Sequence, residues 1–339
     1  MNHKSRPYLL LLLFMTICFS CKKSQPSSSS SSSSFSPGAD VYMAGTTNDS
    51  AVYWKNGQRV GLSANGKATG IAVSANGDVY VSGVVDSSSG DQLAVYWKNG
   101  VRVNLTDTGT ATTDGIALAD TNVYVSGFLL RNNYGSLSAA GAVYWKNGVQ
   151  VNLTNCGPLD ASDAAGLAVS GSDVYVAGFI IMSGAGNDTA AVWKNGVLVP
   201  NLITTEGNVF YSIVFNGSDM YVAGESGGYL KNGALVSLPQ GFMITGLAFS
   251  GQNIYAIGST SALPANGGFI PAYWENGNLV KRFDADAIIN AIAATGNDVY
   301  IVGSIYSSSG QLSAVYWKNG VQETLATTGE INAITIVPN

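Results

Sequence analysis

Short apolar runs broken by Gly and Asn recur from residue 40 to the end of the chain. One run reads Asp-Val-Tyr-Val-x-Gly, and its seven copies keep Asp or Asn first, Tyr third and Gly sixth. β-Branched and aromatic residues in such a run predict a strand, which we expect the Gly to end. The copies span residues 40–45, 78–83, 122–127, 173–178, 219–224, 253–258 and 298–303.

A second run, typified by Ala-Val-Tyr-Trp-Lys-Asn-Gly, follows each copy of the first. Asn-Gly is a strong hairpin signal because both central positions of the turn need a positive φ. A strand such as Val-x-Val-Asn-Leu returns from the turn, and a strand rich in Gly and Ala, such as residues 70–73, leads into the next repeat. The aromatic position of the second run holds Trp54, Trp97, Trp145, Trp193, Leu230, Trp274 and Trp317.

Each repeat therefore predicts four antiparallel strands: A (Gly- and Ala-rich, innermost), B (Asp-Val-Tyr), C (Tyr-Trp) and D. Repeat starts lie 38, 44, 51, 46, 34 and 45 residues apart, which suits one propeller blade per repeat. The pattern begins on strand B at residue 40 and ends on a lone strand A at 330–337. We expect an all-β fold, a seven-bladed β-propeller of four-stranded antiparallel blades, with the ring closed by the C-terminal strand joining the N-terminal blade. A β-helix or open solenoid is the alternative.

The repeat resembles the HAF-type extracellular repeats of bacteria in its Tyr, Gly, Trp and Asn-Gly positions, over residues 40–339. It departs from that family because the glycine-rich ending of the unit is missing. WD-repeat propellers are similar in strand order but carry a Trp-Asp signature that this chain lacks. Neither resemblance implies a particular activity.

The N-terminus has the pattern of an export signal. Lys4 and Arg6 precede an apolar run at 8–19, which is shorter than the about 20 residues that span a bilayer. Residues 18–21 read Cys-Phe-Ser-Cys and resemble a loose bacterial lipobox of the Bacteroidetes type, although Leu is usual at the first of these positions. The resemblance implies diacylation of Cys21 and cleavage before it. An ordinary secretory cleavage nearby is the alternative.

A run of eight serines at 27–34 follows the cysteine and predicts a flexible tether. The expected organisation is a lipoprotein signal peptide at 1–20, the lipidated cysteine and linker at 21–38, and the propeller at 39–339. The expected location is the bacterial cell envelope, as an outer-membrane lipoprotein facing the periplasm or the cell surface. The lipid anchor makes the membrane the first partner.

Composition narrows the remaining partners and chemistry. The net charge is −5 and no basic stripe occurs, which argues against nucleic acid. Cys156 is the one cysteine of the predicted domain, so no internal disulfide is expected. His3, the only histidine, lies in the predicted leader, which removes most hydrolase and imidazole-metal chemistry. We predict no catalytic residue, no metal site and no cofactor, and a monomer.

The charged residues of the repeats are interpreted as structural. The Asp of strand B lies in the A–B turn, and two Asn counterparts indicate that the turn needs hydrogen bonds rather than charge. The Lys before Asn-Gly is a repeated solvated position, although a ring of such lysines could attract anions. Two acidic pairs, Asp160 with Asp163 and Asp284 with Asp286, lie in predicted D–A loops and could bind Ca²⁺.

The A–B and C–D turns are nearly identical in all repeats, whereas the B–C and D–A loops vary. Function concentrates where repeats vary over a constant scaffold, and loop drift is the alternative. Candidate binding residues are Arg131 and Tyr134 of the third repeat and Phe269 of the sixth. The residues at which the chain enters strand A form a mostly polar ring of Thr69, Asp114, Ala165, Tyr211, Thr245, Asn290 and Asn332. From this ring Asp114, Tyr211, Asn290 and Asn332 are further candidate binding residues.

We therefore expect a non-catalytic binding or scaffold module for a protein or a glycan. The alternative is a polysaccharide-active enzyme that uses paired carboxylates at the propeller mouth.

Overall fold

The computed structural model describes residues 35, 38–130, 140–154, 161–181, 188–202, 208–261, 269–284 and 286–339. Over these ranges the chain is built of β-strands, with one short 3-10 turn at Pro200–Leu202. The predicted all-β class is confirmed. No helix among the described residues is long and apolar enough to cross a membrane.

The strands follow the repeats along the chain. Those of the first half are β1 (Ala39–Thr47), β2 (Ser50–Lys55), β3 (Gln58–Ala64), β4 (Gly66–Val73), β5 (Val79–Asp86), β6 (Gln92–Lys98), β7 (Val101–Asn104), β8 (Ala111–Ala119), β9 (Asn122–Leu130), β10 (Ala140–Lys146), β11 (Val149–Asn152), β12 (Ala161–Ser170), β13 (Asp173–Ile181), β14 (Asp188–Lys194) and β15 (Val197–Leu198).

Those of the second half are β16 (Phe210–Asn216), β17 (Asp219–Gly224), β18 (Gly228–Lys231), β19 (Ala234–Ser237), β20 (Gly241–Ser250), β21 (Asn253–Ser261), β22 (Phe269–Glu275), β23 (Asn278–Arg282), β24 (Ala287–Thr295), β25 (Asp298–Tyr306), β26 (Leu312–Lys318), β27 (Val321–Ala326) and β28 (Glu330–Pro338).

The strands pair antiparallel in groups of four, in the predicted order A-B-C-D. Four sheets have the orders β4-β5-β6-β7, β16-β17-β18-β19, β20-β21-β22-β23 and β24-β25-β26-β27. Strands β8–β11 and β12–β15 pair in the same way and are joined into one sheet by a single parallel contact of Ala140 with Ala161. The predicted four-stranded antiparallel sheets are thus confirmed.

The last strand lies beside the first. β28 pairs antiparallel with β1, where Val41 faces Ile336, and the sheet order is β28-β1-β2-β3. The first strands of successive groups also contact one another, from β4 through β8, β12, β16, β20 and β24 to β28, and β28 contacts β4. Over the described ranges, side-chain packing rather than a continuous ladder of hydrogen bonds links these sheets.

The core lies between neighbouring sheets and is built on the recurring tryptophan. Trp97 of β6 is 1% exposed and belongs to one buried cluster with Tyr42, Ala44 and Ala51 of the preceding sheet. Such a side chain buries a large apolar area, and this contributes much of the energy that holds two sheets together. Leu230 takes the same place in the fifth group and is also buried.

The recurring Gly of strand B does not end its strand in most groups, which corrects the prediction. β5 continues to Asp86, three residues beyond Gly83, and β25 continues to Tyr306, beyond Gly303. The Asn-Gly hairpins form as predicted, with φ of 49° at Asn56 and 78° at Gly57.

Candidate functional site

Each first strand contains a β-bulge at the same repeat position. In β4, Ala68 faces Gly83 and Gly70 faces Ser82, so Thr69 is the extra residue. A bulge bends its strand and re-aims one side chain. The residues placed in this way are Thr69, Asp114, Ala165, Tyr211, Thr245, Asn290 and Asn332.

The sequence pattern predicts these positions at the entrance of strand A, and the structure corrects this placement. Thr69 is the fourth residue of β4, and Asn290 is the fourth residue of β24. The ladder continues on both sides of the bulge, so strand A begins earlier than the sequence pattern indicates.

The recurring Gly lies opposite the bulge. There a carbonyl oxygen of the bulged strand points at the Gly and leaves no space for a side chain. A Cβ at Gly83 would overlap the carbonyl oxygen of Lys67, and a Cβ at Gly258 would overlap that of Met243. These glycines do not have positive φ, so space rather than backbone conformation requires Gly. The same relation holds at Gly45, Gly83, Gly127, Gly178, Gly224, Gly258 and Gly303.

The seven bulge residues border one cavity of about 260 Å³, here called the axial cavity. The structure thus brings together four predicted site residues, Asp114, Tyr211, Asn290 and Asn332. Among the described residues that line the cavity, Asp114 is the only carboxylate and none is a lysine or arginine.

On one arc of the cavity, the bulge residue binds the next inner strand. Asn290 Nδ2 donates to the carbonyl oxygen of Ile331 at 2.9 Å. Asn332 Nδ2 donates to the carbonyl oxygen of Ala68 at 3.0 Å. These contacts join β24 to β28 and β28 to β4 through side chains.

Thr69 and Asp114 continue this arc. Thr69 Oγ1 lies 2.7 Å from Thr113 Oγ1 and joins β4 to β8. The side chain of Asp114 contacts that of Asp163 and joins β8 to β12. Asp163 lies within β12 and not in a D–A loop, which corrects its predicted place; its predicted partner Asp160 lies outside the described residues.

The two carboxyl groups are buried, and this controls their ionisation. Burial raises the pKa of Asp114 well above its usual range, and the charge of Asp163 adds to the shift. Burial also raises the pKa of Asp163, against hydrogen bonds from Asp114 and the Ala164 amide that lower it. Among the described residues, Asp114 Oδ2 and Asp163 Oδ1 have no hydrogen-bond partner.

On the other arc of the axial cavity, no hydrogen bond between described residues joins the side chain of a bulge residue to the next inner strand. Ala165 has no polar side chain, and the buried Thr245 Oγ1 has no partner in the described part of the chain. Tyr211 Oη donates to Glu225 Oε1 at 2.6 Å. Burial and this hydrogen bond raise the pKa of Tyr211 above its usual range.

The turns of the opposite face share one polar cluster. In the first group, Asn56 Nδ2 donates to Asp40 Oδ1 at 2.7 Å, and Val41 N donates to Asn56 Oδ1 at 2.8 Å. Lys55 Nζ lies 2.7 Å from Asp40 Oδ2. The lysine is therefore ion-paired as well as solvated, which the sequence interpretation missed. The other such pairs are Lys98–Asp78, Lys194–Asp173, Lys231–Asp219 and Lys318–Asp298.

Exposed aromatic side chains lie at the variable face. Phe269, a predicted site residue, is 55% exposed and stacks on Phe242, which is 45% exposed, with ring centroids 4.5 Å apart. Sequence reasoning missed Phe242 and Tyr306, which is 46% exposed at the end of β25. The available signal was an aromatic residue at a repeat position that can be polar, because Tyr306 stands where the second repeat has Asp86.

The remaining predictions concern residues that the structure does not describe and the expected absence of a metal site. Arg131 and Tyr134, like Cys21 and Cys156, lie outside the described residues. Within the described ranges, no group of three or more His, Cys, Asp or Glu is placed to hold a metal ion.

Comparison with known proteins informs the fold. No family model matches the chain, and no curated protein matches its sequence. The acylaminoacyl peptidase of Pyrococcus horikoshii is 10% identical with a TM-score of 0.50, over 86% of this chain and 51% of its own. The computationally designed Ika8 protein is 18% identical with a TM-score of 0.47, over 79% of this chain and 78% of its own.

A third similar structure is the β-propeller domain of the Trilobed protease from Pyrococcus furiosus. It is 9% identical with a TM-score of 0.46, over 86% of this chain and 93% of its own. At these identities the similarity concerns the fold alone. The chain spans about half the length of the acylaminoacyl peptidase.

Proposed function

We propose that the chain is an exported lipoprotein whose folded part is a seven-bladed β-propeller that acts as a non-catalytic binding module for a protein or a glycan. Cys21 would carry the lipid, and the serine run at 27–34 would let the propeller move at the surface of the outer membrane. The lipobox-like residues at 18–21 and the apolar run before them support this location.

The seven four-stranded groups would be the blades. Three observations support this count: the repeat occurs seven times in the sequence, the seven inner strands contact one another in order, and all seven border the axial cavity. In this arrangement β28 supplies the inner strand of the first blade, and its pairing with β1 holds the two ends of the chain together.

The difference between the two faces is the observation that carries the binding proposal. One face repeats a cluster of Asp, Asn and Lys in five of the seven repeats, with Asn in place of the Asp in the other two, so its blades offer a partner little to distinguish them. The other face has unlike residues at equivalent positions, such as Asp114, Ala165 and Tyr211, and exposed rings at Phe242 and Phe269. Stacked aromatic faces beside amide and hydroxyl groups suit sugar rings and protein side chains alike.

The contact between Asp114 and Asp163 favours binding over glycoside hydrolysis. The acid and nucleophile of a retaining glycosidase lie about 5 Å apart, and the pair of an inverting enzyme lies farther apart. Two carboxyl groups in direct contact leave no room for a sugar carbon between them.

Affinity electrophoresis in gels containing the polysaccharides of the producing cell envelope tests this function. Two double variants on the variable face, F242A/F269A and N290A/N332A, should reduce retention of the protein. The matched control, K98A/K318A on the opposite face, should leave retention unchanged. Retention that is lost in the control and kept in the other two would place binding on the wrong face.

A further inference from the structure

We propose that a cleft between the seventh group (β24–β27) and the first (β28 with β1–β3), here called the seam cleft, binds a sugar residue of a neutral glycan. The seam cleft has a volume of about 510 Å³. Ligand sites usually measure about 300–1,000 Å³, a range that includes the seam cleft and excludes the axial cavity of about 260 Å³. This site deepens the proposed binding function, on which it rests, by naming the ligand class and its place on the variable face.

Two loops of unequal length border the seam cleft. β1 turns into β2 through Asn48 and Asp49 alone, with φ of 48° and 55° as in a tight hairpin. β25 and β26 are joined by a longer loop at 307–311. Both loops line the cleft, together with Lys67 of β4. The short hairpin therefore leaves open the space beside the longer loop.

The longer loop is held by its own hydrogen bonds. Ser307 N donates to the carbonyl oxygen of Gln311 at 2.8 Å, and Gln311 N donates to Ser307 Oγ at 3.1 Å. The loop at 87–91 of the second group also begins Ser-Ser-Ser-Gly and has the same two hydrogen bonds, at 2.8 and 3.1 Å. A loop closed in this way holds the residues at its ends in place without a ligand.

The two copies of this loop differ in the residues at their ends. Tyr306 stands where the second group has Asp86, and Gln311 stands where it has Asp91. The ring of Tyr306 is 46% exposed, and the partly negative face of such a ring attracts the C–H groups on the apolar side of a sugar. The amide of Gln311 can donate to one hydroxyl and accept from another.

A buried hydroxyl without a partner lies in the same lining. Thr46 is 8% exposed, and its Oγ1 has no hydrogen-bond partner among the described residues. Such a group destabilises a fold until it is paired. A sugar hydroxyl that enters the seam cleft can supply the missing partner. Glu330 faces Thr46 in the pairing of β28 with β1 and adds a carboxylate at this point.

The floor of the seam cleft is fixed before any ligand binds. Gly329 N donates to the carbonyl oxygen of Leu312 at 2.9 Å. A Cβ at Gly329, where φ is 105°, would overlap the carbonyl oxygen of Thr46. Thr328 Oγ1 donates to Asn48 Oδ1 at 2.8 Å and so orients that amide. A preformed site loses little conformational freedom when it binds.

The charges of the lining favour a neutral ligand with many hydroxyl groups. Lys67, Asp49 and Glu330 line the cleft, and no ion pair recorded for the described residues includes any of them. Charged groups make strong hydrogen bonds to hydroxyls, and one cation nearly balances two carboxylates. A peptide needs an apolar pocket for its anchor residues, and Leu312 is the only branched aliphatic residue in the described lining.

Saturation-transfer-difference NMR on the full purified chain tests the site. The probes are neutral oligosaccharides of glucose, mannose, galactose, xylose and N-acetylglucosamine. Each is added at about 10 mM, because a single sugar on a shallow site binds weakly. At least one probe should bind with a dissociation constant of about 1 mM or lower.

An exchange between the two copies of the loop provides matched variants. Y306D/Q311D gives the seventh loop the residues of the second, so it should keep the native Tm and weaken sugar binding by at least about tenfold. The control D86Y/D91Q makes the reverse exchange in the second group and should keep the native affinity.

T46V separates binding from stability. The variant removes an Oγ1 that has no partner among the described residues, so its Tm should equal or exceed the native value, while the affinity for the sugar should fall about three- to tenfold. A Tm that falls while the affinity stays native would mean that Thr46 is structural only.

Two results would overturn the seam cleft as a glycan site. One is a native chain that binds none of the probes. The other is a probe whose affinity survives in Y306D/Q311D and is lost in F242A/F269A, which would move the sugar to the other aromatic pair. Retention in envelope-polysaccharide gels that Y306D/Q311D leaves unchanged refutes the cleft and keeps the proposed function. Loss of that retention in the native chain, with oligosaccharide binding at the cleft intact, refutes the envelope target alone.

Discussion

The carbonyl oxygen of Lys67 occupies the space that a side chain at Gly83 would need. The bulge at Thr69 turns this oxygen toward the neighbouring strand, and the ring of Trp97 closes the same space from the other side. One backbone irregularity therefore accounts for a Gly in strand B and a cavity-lining residue in strand A.

The first prediction tests this relation. Gly83→Ala should destabilise the fold by about 3 kcal/mol, because either the bulge or Trp97 must move to admit the methyl group. Gly61→Ala is the matched control, since its nearest neighbour is a flexible arginine side chain at 3.8 Å. Urea unfolding measures both. Similar stability of the two variants would show that the bulge yields easily.

The second prediction concerns the last strand. Deletion of residues 330–339 removes β28, exposes the apolar face of β1 and takes away Ile331, which is fully buried. We expect loss of cooperative unfolding, followed by circular dichroism during heating. Removal of residues 338–339 alone should have little effect, because these positions are exposed at the chain end. A long deletion that melts within a few degrees of the native chain contradicts the proposed closure.

The third prediction concerns acid stability. Hydrogen bonds from Asn99, and next from Lys98, lower the pKa of Asp78. Hydrogen bonds from the Lys and the Asn of the same repeat also lower the pKa values of Asp173 and Asp219. A carboxylate with a depressed folded-state pKa contributes stability that is present above its unfolded pKa of about 3.9 and is lost as the pH falls through the folded value. The Tm should therefore fall as the pH decreases below about 4.

Asp78→Asn isolates the charge from the hydrogen bond in that experiment. Asn122 holds the equivalent position in the third group and accepts a hydrogen bond from Asn147 Nδ2 at 2.8 Å, so the variant should keep the turn. Its Tm should lie slightly below the native value at neutral pH and meet it at the acid end. A constant difference at all pH values would mean that the ion pair with Lys98 adds nothing.

The fourth prediction concerns the anchor. Cys21→Ser removes the sulfur that would carry the acyl chains, and a tether without acyl chains has no affinity for lipid. The variant should move from the membrane pellet to the soluble fraction, while its Tm stays native. Cys156→Ser is the control and should remain in the pellet. A Cys21→Ser protein that still pellets with membranes would refute lipidation at this residue.

Local chemistry determined the elements of this protein. The hairpin at Asn56 and Gly57 needs two positive φ values, which these residue types supply without outside help. The alternation of apolar residues around Trp97 determines which strand face is buried, whatever the neighbouring sheet. Four strands per repeat and their order follow from such signals and from the repetition itself, which averages out the ambiguity of any single copy.

Only the tertiary structure decided the bulges and the contact of Asp114 with Asp163. A bulge is a mismatch between two strands, so it cannot be seen in either strand alone. For this reason the sequence predicts a strand end at Gly83, whereas the structure shows Gly83 opposite a bulge. Asp114 and Asp163 belong to different repeats and meet only because inner strands pack side by side. Such contacts depend on how sheets are placed in space, and this information is not local to any stretch of sequence.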